Sequence, residues 1–411
     1  MDLNGYPLLT VLIIATLSSM LAELPLPLRV PIVVWEMVLG MLVGPHVLGY
    51  AHPIGTFTMF GQRVGTYTLL EERGLSALFF MAGFDLDLAR VRGRPLELAI
   101  AGWGLSVVVA LAAAAVLQVV PFVHAPLLIT LALSTTALGT FMPSLRDAGL
   151  LETDFGTKLM AAGAVGEFFP IIATSLVLTR EFPAWEEVVF MLGFVAVAVL
   201  GATVALGVRP PRLLSLLRRT LHSSSQLPVL LTLVALFSLA VLSQKIGLES
   251  VLGAFSAGMI LRLASDGEQG EVFREKIDAI CFGFLVPFFF VVSGMKLDVN
   301  PFFHSVRTML LIPTFLVLYL IVRGLPVLLY RDQLAPNERL PFALYSATAL
   351  PLVLAITNIG VTRAGMSVEI ATAMVGAAIL SVLLFPALAQ LLLKASARPP
   401  DNVAIPVARP G

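Results

Sequence analysis

The chain has 411 residues, of which 58% are hydrophobic and only 13% are charged. A soluble protein of this size has about 25% charged residues because its surface faces water, so the composition excludes an ordinary soluble domain and indicates a lipid bilayer as solvent. The 26 basic and 26 acidic residues balance, which gives no reason to expect a nucleic acid as partner. The single Cys281 excludes an intrachain disulfide.

Apolar stretches that could cross a bilayer recur along the whole chain. A spanning helix needs roughly 20 mostly apolar residues to cross about 30 Å of hydrocarbon, and this criterion predicts about thirteen spans. They lie at about 6–24, 29–50, 73–90, 98–120, 124–146, 156–178, 187–207, 226–244, 248–264, 278–297, 304–330, 339–361 and 367–394. The expected fold class is therefore an all-α polytopic membrane protein.

The two ends of the chain are interpreted from their composition. Residues 6–24 have no basic segment before them and no clear cleavage site after them, so we expect a retained first span rather than a signal peptide. A single transmembrane unit is expected over 1–394, followed by a disordered cytoplasmic tail over 395–411, with no appended soluble domain.

Lys and Arg residues concentrate in alternate predicted loops, for example 90–94 and 209–219. Cytoplasmic loops are the ones that carry an excess of Lys and Arg. This distribution predicts a multi-pass protein of the inner (plasma) membrane whose N-terminus is outside and whose C-terminus is cytoplasmic.

Two pairs of segments in the chain resemble each other. The segment 79–88 (FFMAGFDLDL) matches 290–299 (FVVSGMKLDV), and the segment 134–138 (STTAL) matches 346–350 (SATAL). The matches occur in the same order and at nearly the same separation along the chain, which is stronger evidence for a repeat than either match alone.

We therefore expect one repeat over about 5–180 and a second over about 226–394, joined by a linker helix over about 187–225. Seven predicted spans separate the matching elements, so the two repeats have opposite orientations in the membrane. Inverted repeats place a substrate site near the bilayer midplane, between interrupted helices.

Four segments carry a recognisable pattern of glycine, proline and charged residues. They are PIVVWEMVLGMLVGPHVLG at 31–49, GFDLDL at 83–88, LGAFSAG at 252–258 and PFFFVVSGMKLD at 287–298. Together they resemble the monovalent cation:proton antiporter-2 family, which includes bacterial sodium/proton antiporters and the membrane part of glutathione-regulated potassium efflux systems. The resemblance covers roughly residues 5–394. It implies a sodium/proton antiporter-like fold, in which a core of crossed, discontinuous helices slides against a dimerisation domain, and a homodimer.

Glu167 is the central candidate for ion binding. It lies about 11 residues into the predicted span 156–178, roughly 16 Å along the helix and so near mid-membrane. A carboxylate there costs several kcal/mol unless it is protonated, paired or bound to a cation, and an exchanger must interconvert those three states. The resemblance implies Asp at this position, often after another Asp or Gln, whereas this chain has Gly166-Glu167. Because Pro170 has no amide hydrogen, it frees the Gly166 carbonyl as a further candidate ligand; an ordinary proline kink is the alternative.

The spans 124–146 and 339–361 are the candidate broken helices. Their polar residues lie near the depth of Glu167 and are Ser134, Thr135, Thr136, Ser346 and Thr348. Non-helical backbone survives in a membrane only where it is buried in protein or lines a wet cavity, so these residues are predicted ion ligands. The alternative is that their hydroxyls donate hydrogen bonds back to their own helices.

Arg323 lies about seven residues from the inner end of the span 304–330. It either extends to the cytoplasmic surface or turns inward as the charge partner of Glu167, which is similar to the basic residue that the family has on this helix. Weaker ion- or proton-binding candidates are Glu36, Asp85 and Lys296. Asp278 is expected at the start of its helix, where it would interact with the helix dipole.

These residues favour a secondary antiporter that exchanges a monovalent cation, Na⁺ or K⁺, for H⁺ by an elevator-type alternating-access cycle. An arginine partner stays charged, so one carboxylate trades one proton for one cation, and exchange is expected to be electroneutral. The alternatives are a sodium-coupled transporter of a small organic anion on a similar fold and a channel-like or sensory membrane protein. No catalytic motif indicates an enzyme, and no cofactor is expected besides the transported ions.

Overall fold

The structure is a computed structural model of the 411-residue chain. It describes residues 7–24, 30–48, 56–59, 62–85, 93–117, 125–178, 226–245, 250–264, 268–297 and 306–397. The predicted span 187–207, the predicted linker helix 187–225 and most of the predicted tail 395–411 lie outside these residues.

The described part of the chain is almost entirely helical. The helices are α1 Pro7–Ala22, α2 Ile32–Val43, α3 Thr66–Asp85, α4 Arg94–Leu117, α5 Pro126–Leu133, α6 Leu138–Asp147, α7 Asp154–Leu178, α8 Leu227–Lys245, α9 Ser250–Ala264, α10 Glu268–Ile280, α11 Val286–Lys296, α12 Val306–Gly324, α13 Pro336–Ser346, α14 Pro351–Arg363 and α15 Val368–Ala397. A π-helical segment, Cys281–Leu285, joins α10 to α11, and a 3₁₀ helix, Leu325–Tyr330, follows α12. An antiparallel hairpin of β1 (Thr56–Met59) and β2 (Gln62–Gly65), which the hydropathy pattern did not predict, precedes α3.

Seven helical segments of the described chain are long and apolar enough to cross a membrane. They are Arg94–Leu117, Asp154–Thr174, Leu227–Lys245, Val272–Lys296, Met309–Tyr330, Pro336–Thr362 and Val368–Lys394. Shorter apolar helices lie at Pro7–Ala22, Ile32–Val43, Pro126–Met142 and Ser250–Arg262. The predicted all-helical membrane class is confirmed, and the number thirteen stays a prediction.

Several predicted boundaries were wrong because helices extend past their apolar parts. α3 begins at Thr66 rather than at residue 73, and α15 continues through Ala397, into the segment predicted to be disordered. The helix predicted to begin at residue 278 begins at Glu268. Asp278 therefore lies inside a helix, where its carboxylate is 3.9 Å from the Arg274 guanidinium, and it does not face a helix N-terminus.

Helices α7 and α15 each begin behind a hydroxyl cap. The Thr153 hydroxyl accepts a hydrogen bond from the Gly156 amide at 3.1 Å, and the Ser367 hydroxyl accepts one from the Ile370 amide at 3.3 Å. Such caps satisfy amides that have no partner in the first helical turn. The Thr153 cap fixes where α7, the long helix that carries Glu167, starts.

The helices form two packed sets. One set contains α1–α3 and α8–α11, and the other contains α4–α7 and α12–α15. The larger contacts between the sets are those of α7 with α9 and of α2 with α15. Inside the α7–α9 contact, the rings of Phe168 and Phe255 stack with centroids 4.8 Å apart.

Helices α2 and α11 approach so closely that only glycine fits at the contact. A Cβ at Gly40 would lie 2.2 Å from the Val291 carbonyl oxygen, and a Cβ at Gly294 would lie 2.3 Å from that of Met37. Both glycines belong to segments that carry the family resemblance.

Helices α9 and α3 make the same kind of close contact, in which a glycine of each helix lies against a carbonyl oxygen of the other. A Cβ at Gly258 would lie 2.0 Å from the Phe80 carbonyl oxygen, and a Cβ at Gly83 would lie 2.1 Å from that of Phe255. Gly83 and Gly294 are the two glycines that align in the predicted repeats, so the pair α3–α9 is the counterpart of the pair α11–α2. This packing supports the predicted inverted repeat.

Candidate ion-binding site at the crossing of two broken helices

Two helices of the second packed set are interrupted, as predicted. The first break, between α5 and α6, covers residues 134–137, and the second, between α13 and α14, covers 347–350. The breaks touch each other, since the Ala137 amide donates a hydrogen bond to the Thr348 carbonyl at 2.7 Å. The side chains of both breaks are buried, which meets the condition for irregular backbone at membrane depth.

The two breaks have different local causes. At the second, Pro351 begins α14 without an amide hydrogen, and Leu350 before it has φ −153° and ψ −61°, outside the helical region. The first break has no proline in it. It is held open by hydrogen bonds to other elements, among them the bond from the Thr136 amide to the Gly166 carbonyl at 2.9 Å.

Glu167 lies next to this crossing. It is the fourteenth residue of the 25-residue helix α7, about 20 Å from the helix start, and it is 5% exposed. The Leu138 amide, the first of α6, donates a hydrogen bond to its carboxyl group. The other oxygen, Oε2, is buried without a partner. The positive end of the α6 dipole thus faces a carboxyl group that has one free oxygen.

Thr136 is the hydroxyl that connects the crossing. It donates a hydrogen bond to the Ser346 carbonyl at 2.6 Å and accepts one from Arg323 Nε at 2.7 Å. One side chain therefore joins the first break, the end of α13 and the arginine of α12.

Arg323 points into the protein and is 3% exposed. Besides Thr136, its guanidinium donates to the Ser106 hydroxyl at 3.0 Å and to the Ala162 carbonyl at 3.2 Å. None of the ion pairs among the described residues joins Arg323 to Glu167 within 4.0 Å. The direct pair anticipated from the sequence is thus not formed here, because the guanidinium is held by neutral oxygens, and the role of charge partner stays a prediction.

The glycine at 166 makes this arrangement possible. A Cβ there would lie 2.4 Å from Arg323 Nη2 and 2.8 Å from the Thr136 hydroxyl. The space that a side chain would need before the acidic residue is therefore taken by the arginine. The Gly166 carbonyl, predicted to be free, accepts the Thr136 amide, which leaves one of its two lone pairs.

Of the other four predicted hydroxyl ligands, Ser346 is buried without a hydrogen-bond partner, and the remaining three bond locally. Ser134 donates to the Leu131 carbonyl at 2.9 Å, and Thr135 donates to the Ala132 carbonyl at the same distance. Thr348 donates to the carbonyl of Leu344 at 3.3 Å. As hydrogen-bond donors, these three hydroxyls bond back to their own helices, which is the alternative considered in the sequence analysis. Their oxygen lone pairs can still bind a cation.

Two of the weaker candidates, Asp85 at the end of α3 and Lys296 at the end of α11, form ion pairs outside the crossing. Asp85 forms an ion pair with Arg274, and Lys296 Nζ lies 2.5 Å from Glu71 Oε2. The Ser293 hydroxyl donates to Glu71 Oε1 at 2.9 Å.

Sequence reasoning missed Glu71 as a buried acid because the span was placed from residue 73 onward, which put Glu71 in a loop. Glu36, the third weaker candidate, is 2% exposed on α2. It belongs to the other packed set, and nothing described here brings it to the Glu167 carboxyl.

The chain is similar to proteins that carry the name of cation/proton antiporters. YjbQ of Bacillus subtilis, which carries the name of a Na⁺/H⁺ antiporter, is 24% identical over 418 residues that cover 97% of this chain and 64% of YjbQ. Cation/H⁺ antiporter 19 of Arabidopsis thaliana is 27% identical over 312 residues, or 71% of this chain and 38% of the plant protein. The chain thus spans less than two-thirds of the length of either relative.

The sodium proton antiporter MjNhaP1 of Methanocaldococcus jannaschii has the same fold, with a TM-score of 0.61 and 15% identity over 96% of both chains. The transmembrane model of the sodium/hydrogen exchanger family matches residues 10–395. The chain is therefore a multi-pass membrane protein that belongs to the sodium/hydrogen exchanger family.

Proposed function

We propose that this chain is an antiporter that exchanges a monovalent cation, Na⁺ or K⁺, for H⁺, with Glu167 as the shared site. The observation that carries the proposal is the buried Glu167 carboxyl at the crossing of two broken helices, with one oxygen free of hydrogen bonds. A proton and a cation cannot occupy that oxygen together, and this competition couples the two fluxes.

Each residue of the crossing has a role in the proposed cycle. Glu167 is neutralised either by a proton or by the cation, and a neutralised site crosses the membrane at much lower cost than a bare carboxylate. The hydroxyl oxygens of Ser134, Thr135 and Thr348 and the Gly166 carbonyl are the candidate neutral ligands, since hard cations prefer oxygen. Arg323 donates a hydrogen bond to the Thr136 hydroxyl and contributes positive charge to the site when no cation is bound.

The two packed sets of helices support an alternating-access movement. We assign the set α4–α7 with α12–α15 as the moving core and the set α1–α3 with α8–α11 as the fixed scaffold of a homodimer. The breaks, Glu167 and Arg323 all belong to the first set, so one rigid movement would carry the complete site. In this assignment the protein lies in the plasma membrane with its N-terminus outside.

An organic anion as substrate is less well supported. Its carboxylate would need free donors, whereas three of the five Arg323 N–H groups are already used on Thr136, Ser106 and Ala162. A screen that includes small carboxylates beside Na⁺, K⁺, Li⁺ and Rb⁺ tests this directly.

The deciding experiment is Glu167→Gln in purified protein reconstituted into liposomes with an imposed pH gradient. Glutamine keeps the size of the side chain but cannot take up and release a proton, so cation-driven proton movement should be lost. Glu97→Gln, on the exposed face of α4, is the control and should exchange at the wild-type rate. Undiminished exchange by Glu167→Gln would end the assignment.

A further inference from the structure

A small cavity lies beside the Arg323 guanidinium, on the side of α4 and the 3₁₀ helix. Its volume is about 10 Å³. The polar residues in its wall are Trp103, Arg323, Tyr330 and Ser346, and the rest of the wall is apolar apart from Gly102.

Three of these residues carry a buried polar atom without a hydrogen-bond partner. The atoms are Trp103 Nε1, the Tyr330 hydroxyl oxygen and the Ser346 hydroxyl oxygen. Tyr330 and Ser346 are only 1% and 2% exposed, so bulk water does not satisfy them. Buried polar groups in folded proteins are almost always hydrogen-bonded to protein or to ordered water, and three orphans around one cavity therefore point to a missing common partner.

The donors and acceptors match a single water molecule. Trp103 offers only a donor, and Arg323 has five N–H groups, of which three are already used. A water can accept from these two and donate to the oxygens of Ser346 and Tyr330, which makes four partners. A buried water needs about 10–15 Å³ and two to four polar partners, so the size fits as well.

We propose that this cavity binds one ordered water molecule that connects Arg323 to Trp103, Tyr330 and Ser346. The consequence for transport rests on the function proposed above. The water holds the guanidinium on the α4 side, in the position where it bonds Thr136 and leaves Glu167 unpaired. Without the water, the arginine loses a partner and becomes free to turn toward the carboxylate, where it would compete with the cation.

The chain offers a matched pair of substitutions that tests the cavity. A methyl group at Gly102 would lie 3.3 Å from Pro326 Cβ and 3.9 Å from Tyr330 Cε2, so Gly102→Ala fills the cavity with only a small shift. A Cβ at Gly104, on the same helix α4, meets nothing within 4 Å. Gly104→Ala is the control, since it adds the same methyl group to the same helix outside the cavity.

The direct measurement is oxidative labelling by hydroxyl radicals that an X-ray pulse generates from water, read out by mass spectrometry. In the wild type, Tyr330 should be oxidised although it is only 1% exposed, whereas Tyr319, which is 0% exposed and donates to the Met374 carbonyl, should not. Gly102→Ala should abolish the labelling of Tyr330, and Gly104→Ala should leave it unchanged. Wild-type labelling of Tyr330 no greater than that of Tyr319, or full labelling of Tyr330 in Gly102→Ala, would overturn the water site.

Transport kinetics provide the second test of the water site. Gly102→Ala should raise the KM for the cation about tenfold, the equivalent of one lost hydrogen bond to a charged group, while Gly104→Ala keeps the wild-type KM. The labelling result does not depend on transport, so a failure of the proposed exchange leaves the water site standing. A wild-type KM in a Gly102→Ala protein that has lost its labelling would refute the role given to the water.

Discussion

At the scale of residues, the site depends on which polar atoms keep no hydrogen-bond partner and on which space the neighbouring side chains leave unoccupied. Glu167 keeps one oxygen without a partner because its neighbour Gly166 has no side chain and Arg323 fills the vacated space. The guanidinium then bonds Thr136 instead of the carboxylate. The glycine at 166, where the family resemblance implies an acidic or polar residue, thus leaves the space that the arginine occupies.

Gly166→Ala tests this relation. The new methyl group would meet Arg323 Nη2 at 2.4 Å and the Thr136 hydroxyl at 2.8 Å, so the arginine must move. We expect the exchange rate in proteoliposomes to fall at least about tenfold, as for the loss of one hydrogen bond to a charged group. Gly139→Ala, on the neighbouring helix α6 where a Cβ meets nothing within 4 Å, should exchange normally. Equal rates for the two variants would show that the arginine position does not matter.

At the scale of helices, close backbone contacts join the helices of the set that contains α1–α3 and α8–α11. Gly258 sits against the Phe80 carbonyl of α3, and Gly40 sits against the Val291 carbonyl of α11. In a membrane, helices associate through such small-residue contacts because lipid provides no hydrophobic driving force between them. The two contacts are equivalent in the repeats, and a substitution at Gly258 tests the one between α3 and α9.

Gly258→Ala should destabilise the protein by about 1–3 kcal/mol, the usual cost of overpacking a tight contact. The added Cβ would lie 2.0 Å from a carbonyl oxygen, which cannot move aside as a flexible side chain can. A lower thermal unfolding midpoint in detergent would report this loss. Gly283→Ala serves as the control, because a Cβ there meets nothing within 4 Å; a midpoint equal to the control's would contradict the packing argument.

The helix scale is also where sequence reasoning succeeded and where it stopped. The breaks near Ser134 and Pro351 were predictable, because hydroxyl runs and proline disfavour a continuous helix at mid-membrane. The partner of Arg323 was not, because a hydropathy pattern gives the depth of a residue but not its rotation toward one neighbour or another. Glu71 was missed because the hydropathy pattern places helix ends where charged residues begin. The first turns of α3, which contain Glu71, were therefore assigned to a loop.

At the scale of the whole molecule, the site contains one exchangeable carboxylate and one arginine. Arginine stays protonated in proteins, so each cycle should trade one proton for one cation and move no net charge. Solid-supported membrane electrophysiology should therefore record no sustained current when Na⁺ or K⁺ is applied, while a pH-sensitive dye reports exchange. Glu36→Gln is an informative companion, since Glu36 is the buried acid of α2 in the other set. A steady current that disappears in that variant would make Glu36 a second proton carrier and refute electroneutral exchange.

Movement of one helix set against the other predicts that tying them together stops transport. Phe168 on α7 and Phe255 on α9 stack across the boundary with ring centroids 4.8 Å apart, so cysteines at both positions, with Cys281→Ser as background, should be bridged by a short thiol cross-linker. Phe84 and Phe273, whose centroids are 6.3 Å apart within the scaffold set, provide the control pair. Bridging 168 to 255 should abolish exchange until the link is reduced, whereas bridging 84 to 273 should not affect it. Full exchange with the first pair completely bridged would mean that the two sets do not slide past each other, and alternating access would then have to arise within the core set around the broken helices.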